Sequence, residues 1–324
     1  MSLPVEGHAP SLGGATGWLN SPPLEMSDLR GRVVVVNFCT YTCINWIRTL
    51  PYVRAWEERY RNDGLVMIGA HTPEFSFEHD HGNIETALQQ MNVTWPIAID
   101  DDYEVWRAFA NHYWPALYFI DAQGRIRHRH FGEGEYESSE LAIQQLLTEA
   151  GVSEIEPGFV APHPQGAEVQ ADWDHLGSSE TYLGYAQATG FASSEGPVPD
   201  AQHGYARPGS VSGNRWALIG EWTVTSEAST SDTPGGRIAY RFTARDVNLV
   251  MGPQTAGSRV RFRVTLDGEA PDDASGVDVQ ADGSGALTEQ RMYQLVRQPG
   301  PIVDRLFEVE FLDAGAQALC FTFG

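Results

Sequence analysis

The sequence contains no lysine. All 21 residues in its Lys+Arg total are arginine, against 43 aspartates and glutamates, and the net charge is -22. Schiff-base chemistry and a catalytic lysine are therefore excluded. A charge this negative disfavours binding to nucleic acid and to anionic membrane surfaces, so we expect no nucleic-acid partner.

Long apolar runs and phosphate-binding motifs are also missing. No stretch approaches the roughly 20 apolar residues of a membrane-spanning helix, so no membrane span is expected. No G-x-G-x-x-G or Walker-type pattern occurs, and no cofactor is expected. The first residues, MSLPVEGHAP, lack the basic and apolar regions of a secretory signal. A cytoplasmic location follows if this N-terminus is native, and a periplasmic or other extracytoplasmic one if a signal or anchor was trimmed.

Cysteine is scarce, with three residues in 324. Three cysteines are too few for a disulfide scaffold, which favours a catalytic or incidental role for each. Cys320, in AQALCFTFG, is interpreted as a small buried hydrophobe. The histidine-rich segments EHDH (78–81) and HRH (128–130) lack the spacing of a zinc site, so no metal is expected.

The chain length suits two domains. Residues 1–152 alternate strand and helix patterns, which predicts an α/β sheet covered on both faces. Residues 153–174 are proline-rich and predict a linker. Residues 175–324 alternate apolar and polar positions between Gly, Asp and Pro turns, which predicts an all-β sandwich.

The first domain has a definite order of predicted elements. A buried strand at Arg32–Phe38 precedes a helix from Cys43 to about Asn62, which Pro51 should kink. The later predictions are a strand at Gly64–Thr72, a helix at Ile84–Met91, a strand in WPIAIDDD, a short helix at Tyr103–Asn111, a hairpin turning at Ala122–Gly124 and a helix at Ser138–Ala150.

The segment FCTYTCINWIRTLPY (38–52) carries the main candidate site. Cys43 begins the predicted helix, where unpaired N–H groups and the positive end of the helix dipole favour the thiolate, the nucleophilic form. A C-x-x-C site would place its second cysteine three residues later, but that position is Trp46. The other nearby cysteine, Cys39, lies four residues upstream.

The stretch VVVVNFCTYTCINWIRTLPY resembles the thioredoxin/redoxin family, including its TlpA-like and AhpC/TSA-type members, and especially the DipZ-type proteins. Their corresponding segment reads F-W-T-Y-T-C-I-N-C-L-R-T-L-P-Y. The resemblance implies a thioredoxin-like first domain in which Cys43 opens the helix and Pro51 follows eight residues later. It also implies that Pro115, in YWPALYFID, is a cis-proline facing the site. The loop HTPEFSFEH is similar to the DipZ-type loop after the second central strand.

The second domain also has a resemblance. ETYLGYAQATGFAS and FEVEFLDAGAQALCFTFG are similar to the β-sandwich that follows the thioredoxin part of DipZ-type proteins. That sandwich looks like the jelly roll of a carbohydrate-binding module, which implies a glycan as one candidate partner. Exposed aromatic rings could stack on a sugar face; the candidates are Trp173, Tyr182, Tyr185, Trp216 and Trp222.

Three functional hypotheses follow for Cys43. In the first, a thiol-dependent oxidoreductase, Cys43 attacks a protein or small-molecule disulfide, Cys39 resolves the mixed disulfide, and an external thiol donates electrons. In the second, a peroxiredoxin-type thiol peroxidase, Thr40 completes a partial T-x-x-C pattern. In the third, the redox fold is inert and the sandwich binds a glycan or a protein. The sequence favours the active hypotheses, because a relic has no reason to keep Cys43, Pro51 and Pro115 in register.

The expected roles of the other residues follow from these hypotheses. Thr40, Trp46, Trp114 and Pro115 are predicted to contact substrate, with Pro115 presenting its backbone. His71 and Glu74, near the end of the second central strand, are candidates to assist proton transfer at Cys43. Asn37 takes the place where many thioredoxins bury a proton-relaying acid, and is expected to satisfy backbone groups instead.

Overall fold

The computed structural model describes residues 3–193 and 195–324. The chain divides into two compact units, the first ending at Glu168 and the second beginning at Val169. The first part of the predicted linker lies in the first unit. There, Arg54 pairs with Glu168 at 2.6 Å, and Arg59 donates to the Glu156 carbonyl at 2.6 Å.

The first unit is built on a seven-stranded sheet of order β1-β7-β6-β3-β4-β5-β2. Its strands are β1 (Gly7–His8), β2 (Gly17–Leu19), β3 (Val33–Cys39), β4 (Leu65–His71), β5 (Ile97–Ile99), β6 (Ala116–Ile120) and β7 (Arg125–Phe131). Its α-helices are α1 (Ile44–Tyr60), α2 (His81–Gln90), α3 (Glu104–Ala108) and α4 (Tyr136–Glu149). Short 3-10 helices span Arg61–Asp63, Ser76–His79 and Gly166–Glu168.

The central strand β3 explains why this sheet needs cover on both faces. All seven of its residues are buried, and it pairs in parallel with β4 and antiparallel with β6. Val34, Val36 and Phe38 pack with Val105 of α3. The alternate positions face the other way, where Asn37 bonds a side chain of α1. The first unit therefore has the thioredoxin-like α/β fold that the resemblance implied.

The predicted elements are present, with shifted ends. The helix expected at Ile84–Met91 begins at His81, because Asp80 caps it by accepting from the Asn83 N–H at 3.0 Å. Helix α1 runs past Pro51 as one element. The antiparallel edge strands β1 and β2 were missed, because two or three residues are too few to show a period-2 pattern.

Glu140 on α4 holds the C-terminal half of α1 in place. Its carboxylate accepts from Tyr60 Oη at 2.6 Å, from Trp56 Nε1 at 3.2 Å and from the Val160 N–H at 2.9 Å. Burial, followed by the bond to Glu140, raises the pKa of Tyr60 to about 12. One buried acid thus joins α1, α4 and the segment that follows them.

The second unit is an all-β domain of eleven strands in a curled sheet, with the main order β15-β14-β17-β12-β10-β11-β18-β13-β16; β8 pairs with β18 and β9 with β10. The strands are β8 (Thr181–Tyr182), β9 (Gln202–Tyr205), β10 (Arg215–Val224), β11 (Ser229–Ser231), β12 (Gly236–Phe242), β13 (Asp246–Pro253), β14 (Val260–Leu266), β15 (Ser284–Leu287), β16 (Arg291–Arg297), β17 (Arg305–Phe311) and β18 (Ala316–Phe323). A 3-10 turn spans Asp272–Ala274.

The long strand β10 turns the sheet back on itself. Residues 215–219 pair with β12, whereas residues 220–224 pair with β9 or β11. Gly220 lies between these parts with φ 97°, and a Cβ there would lie 3.3 Å from the Gly236 Cα. Only glycine takes that backbone conformation without strain. The bend encloses a core that includes Trp216 and Trp222.

Candidate active site

Cys43 lies where β3 turns into α1. It is the N-cap residue of α1, with an extended backbone (φ -72°, ψ 113°), and its carbonyl accepts from the Ile47 N–H at 3.0 Å. Its side chain is partly exposed. The first turn of the helix contains no acidic residue, so no carboxylate there opposes the stabilisation of a thiolate by the helix N-terminus.

The segment before β6 faces this thiol. The Trp114–Pro115 peptide bond is cis, as the resemblance implied. Cys43 Sγ lies 3.9 Å from the Trp114 carbonyl oxygen, whereas the Pro115 carbonyl accepts from the Gly132 N–H at 2.8 Å. The Trp114 carbonyl is therefore one backbone group that lies close to the thiol.

Cys39 is the last residue of β3 and is fully buried. Its Sγ lies 3.5 Å from the Ala70 carbonyl on β4. Burial raises the pKa of the Cys39 thiol far above its ordinary value, and the nearby Cys43 and Glu78 raise it further. Cys39 is a protonated, enclosed thiol at neutral pH.

His71 ends β4 and pairs in register with Cys39. Its ring is fully buried, stacks on Tyr41 with centroids 5.8 Å apart, and has no hydrogen-bond partner at either nitrogen among the described residues. Burial lowers the pKa of His71 to about 4, against the opposing effect of Asp101. The imidazole is therefore neutral near pH 7 and is enclosed in the interior of the first unit.

Glu78 is a buried carboxylate that braces the turn between the two cysteines. Its Oε1 accepts from Thr42 Oγ1 at 2.6 Å, and its Oε2 accepts from the N–H groups of Glu74 and Phe75 at 2.6 and 3.0 Å. Burial raises the pKa of Glu78, opposed by the Thr40 and Thr42 hydroxyls and the loop N–H groups. Of the two glutamates in this loop, the sequence had singled out Glu74, which is only partly buried.

Thr40 and Trp46 lie beneath the site. Both are fully buried, and the Thr40 carbonyl accepts from the Cys43 N–H at 3.2 Å. Trp46 Nε1 donates to Asn37 Oδ1 at 2.8 Å. The Asn37 amide also donates to the Ala116 carbonyl at 3.5 Å, which confirms that it satisfies backbone. The indole therefore joins α1 to the central strand from the interior.

A buried ion pair connects α1 to the loop behind the cis-proline. Arg48 Nη1 lies 3.1 Å from Glu133 Oε1, and the two side chains are 1% and 4% exposed. Burial raises the pKa of Glu133, with Arg48 opposing the rise. Because Gly132, next to Glu133, bonds Pro115, this pair holds the helix against the segment that contacts Cys43.

No sequence pattern pointed to these supporting residues. Glu78 lies in a histidine-rich loop with no recognised pattern, and the paired residues Arg48 and Glu133 are 85 residues apart in the chain. An exposed apolar surface was missed in the same way. Tyr113 and Phe131 are 56% and 44% exposed, with ring centroids 5.4 Å apart, and Tyr113 precedes Trp114.

The aromatic residues of the second unit are mostly structural. Trp216 and Trp222 are fully buried, and their indole N–H groups donate to the carbonyls of Thr189 and Ile219. The expectation that either could stack on a sugar is therefore wrong, because neither ring reaches the surface. Trp173 is 60% exposed.

Neither a metal-ligand cluster nor a membrane helix is found in the part of the chain that the structure describes. Its His, Cys, Asp and Glu side chains form no group of three or more that could hold a metal ion. His79 and His81 instead lie 3.3 and 3.1 Å from Asp101 carboxylate oxygens. No helix in the described ranges is long and apolar enough to cross a membrane.

Comparison with known proteins finds a family similar to part of each unit. Residues 8–129 match the AhpC/TSA family, and residues 178–324 match the thioredoxin-like C-terminal domain family. Protein DipZ of Mycobacterium tuberculosis is 37% identical over 250 residues, which cover 76% of this chain and 35% of that protein. The chain thus spans about a third of that relative.

Two further similarities cover less than half of the chain. Thiol-disulfide oxidoreductase YkuV of Bacillus subtilis is 27% identical over 140 residues, covering 43% of this chain and 94% of that protein. The solution structure of a thioredoxin-like protein in the oxidized form is 28% identical with a TM-score of 0.41, covering 44% of this chain and 96% of that one.

Proposed function

We propose that this chain, whose first unit belongs to the AhpC/TSA family and whose second unit is a thioredoxin-like C-terminal domain, is a thiol-disulfide oxidoreductase with Cys43 as its nucleophile. The observation that carries the proposal is the position of Cys43. Its partly exposed Sγ lies at the N-terminus of the 17-residue helix α1, 3.9 Å from the Trp114 carbonyl. A helix N-terminus favours the thiolate, and the thiolate attacks disulfides.

The substrate is a protein or small-molecule disulfide. The Cys43 thiolate attacks one sulfur, a mixed disulfide forms, and the other sulfur leaves as a thiolate. Trp114 borders the attacked bond, and the apolar surface of Tyr113 and Phe131 suits apolar groups beside it. The mixed disulfide then has two routes of resolution, attack by Cys39 or attack by an external thiol. The similarity to YkuV, named a thiol-disulfide oxidoreductase, supports this reaction class.

Reduction of 2-hydroxyethyl disulfide by reduced glutathione, with the full chain as catalyst, tests the proposal. We expect Cys43→Ser to fall to the uncatalysed rate. Cys320→Ser is the matched control, because Cys320 is a buried cysteine of the second unit and should leave the rate unchanged. Equal rates for wild type and Cys43→Ser would refute the role of Cys43.

The same variants separate the two other hypotheses. A peroxidase would consume hydrogen peroxide with the same thiol donor, and would do so only while Cys43 is present. An inert redox fold would show no turnover of either substrate. Its sandwich would then be left as the functional part, with the exposed Trp173 as a candidate sugar contact.

A further inference from the structure

The turn between Cys39 and Cys43 directs the two sulfur atoms to different neighbours of β3. In the sheet, β3 lies between β6 and β4. Cys39 Sγ contacts the Ala70 carbonyl on β4 at 3.5 Å, whereas Cys43 Sγ contacts the carbonyl of Trp114, just before β6, at 3.9 Å. A disulfide requires its sulfurs about 2.05 Å apart. Both side chains would have to leave their contacts before a Cys39–Cys43 bond could form.

Cys39 is also poorly suited to attack. Its side chain is fully buried, and its Sγ lies 3.7 Å from the position that a Cβ on Gly69 would take. Burial keeps the thiol protonated by raising its pKa. The attacking species in disulfide exchange is the thiolate, and it must approach in line with the sulfur–sulfur bond. An enclosed thiol that points toward β4 meets neither requirement.

The other position at which an internal resolving thiol could lie holds a buried tryptophan. Trp46 stands three residues after Cys43, where a C-x-x-C site has its second sulfur. Its indole is fully buried and hydrogen-bonded to Asn37 at 2.8 Å. The first turn of α1 therefore presents one sulfur, that of Cys43.

We infer that a mixed disulfide on Cys43 is resolved by an external thiol and not by Cys39, so that the chain works as a monothiol oxidoreductase. This inference rests on the proposed function. Cys43 thiolate and R–S–S–R′ give Cys43–S–S–R and R′–S⁻. An external thiolate then attacks the R sulfur, which forms R–S–S–R″ and returns Cys43 as the thiolate. One disulfide bond breaks and one forms in each step, so no other oxidant or reductant is required.

Intact mass after a single turnover tests the inference on the full chain. Reduced wild type is mixed with excess 2-hydroxyethyl disulfide, freed of reagent, and followed over time. We expect one hydroxyethylthio adduct on Cys43 that persists until a thiol is added. Cys39→Ser should form and release the adduct at rates within about twofold of wild type. Cys39→Ala provides a second variant without the buried hydroxyl, and Cys320→Ser is the control.

The inference would be overturned if wild type lost the adduct without added thiol while Cys39→Ser kept it. The wild-type product would then have a mass two hydrogens below that of the reduced chain. Release by reduced glutathione points to a small thiol as the natural donor, and faster release by thioredoxin points to a thiol protein; both support external resolution. Release by neither would contradict it. Failure of the proposed function looks different, because wild type would then form no adduct or Cys43→Ser would form the same one.

Discussion

The buried indole of Trp46 offers a direct test of how this site is supported. Trp46 is fully buried, and its Nε1 bonds Asn37 Oδ1 at 2.8 Å. Replacing a buried tryptophan with alanine removes its apolar contacts and leaves a cavity, which costs about 3–5 kcal/mol. Trp46→Phe keeps most of the apolar volume but strips Asn37 of its donor, which costs about 1–3 kcal/mol.

Guanidinium unfolding followed by helical far-UV circular dichroism measures these losses. All the α-helices in the described ranges belong to the first unit, so this signal reports the unit that contains Trp46. Trp222→Phe is the matched control, since Trp222 is an equally buried tryptophan of the second unit. It should leave the helical transition unchanged.

The reasoning would be refuted by either of two results. One is a loss below about 1 kcal/mol for Trp46→Ala, which would show that the indole is not part of the core. The other is an equal loss for Trp46→Phe and Trp46→Ala, which would show that the apolar ring contributes nothing beyond its N–H group.

Three further predictions concern the buried charged and titratable groups. Arg48→Met, which leaves Glu133 unpaired, should cost about 3–5 kcal/mol in the free energy of unfolding, and Arg48→Met with Glu133→Leu should cost less. Because burial lowers the pKa of His71 to about 4, the unfolded state takes up a proton on His71 at higher pH than the folded state does. The free energy of unfolding should therefore fall by up to about 3 kcal/mol as the pH drops from about 6.5 to 4. His71→Leu should lose that part of the slope of unfolding free energy against pH, measured by unfolding at each pH. Glu78→Ala, which strips Thr42 and two loop N–H groups of their acceptor, should destabilise the first unit by at least about 2 kcal/mol in the same unfolding assay.

Matched controls separate these effects from general damage. Arg107→Met removes an ion pair with Glu104 whose side chains are 62% and 61% exposed, and should cost no more than about 1 kcal/mol. The unfolding slopes of wild type and His71→Leu should coincide above pH 7, where the His71 ring is neutral in both folded and unfolded chains. Identical slopes down to pH 4 would contradict the assignment of a buried neutral ring. Glu74→Ala is the control for Glu78→Ala. An equal loss of unfolding free energy for the two variants would contradict the role of Glu78 in bracing the turn.

The central elements of the first domain could be predicted from the sequence because its central strands are long and buried on both faces. A continuous β-branched run such as Val33–Val36 has few alternatives to a central strand, and the cysteine, Pro51 and Pro115 stand at distinctive spacings. The edge strands β1 and β2 could not be predicted from the sequence, because they form by pairing with β7 and β5, which are far away in the chain. The first domain's boundary also depends on distant contacts, such as Arg54 with Glu168.

The residues of the candidate site likewise divide into those that the sequence predicts and those that only the structure reveals. Cys43 at a helix start follows from local sequence alone. Relative to the family that the sequence resembles, cysteine and tryptophan have traded places at positions 39 and 46. The sequence shows this change but not its structural consequence. In the structure the indole fills the interior over Asn37, and the cysteine at the strand end is enclosed under the turn.

The sequence by itself determined the order of the central strands and the helices and the position of Cys43 at a helix start, since these depend on hydrophobic periodicity and helix-start chemistry within short windows. Only the tertiary structure decided which groups surround that cysteine. The direction of Cys39 Sγ, the choice of Glu78 over Glu74, the neutral His71 and the Arg48–Glu133 pair all depend on packing between segments far apart in the chain. Burial and distance, which set thiol reactivity and the pKa values here, come into existence only when those segments meet.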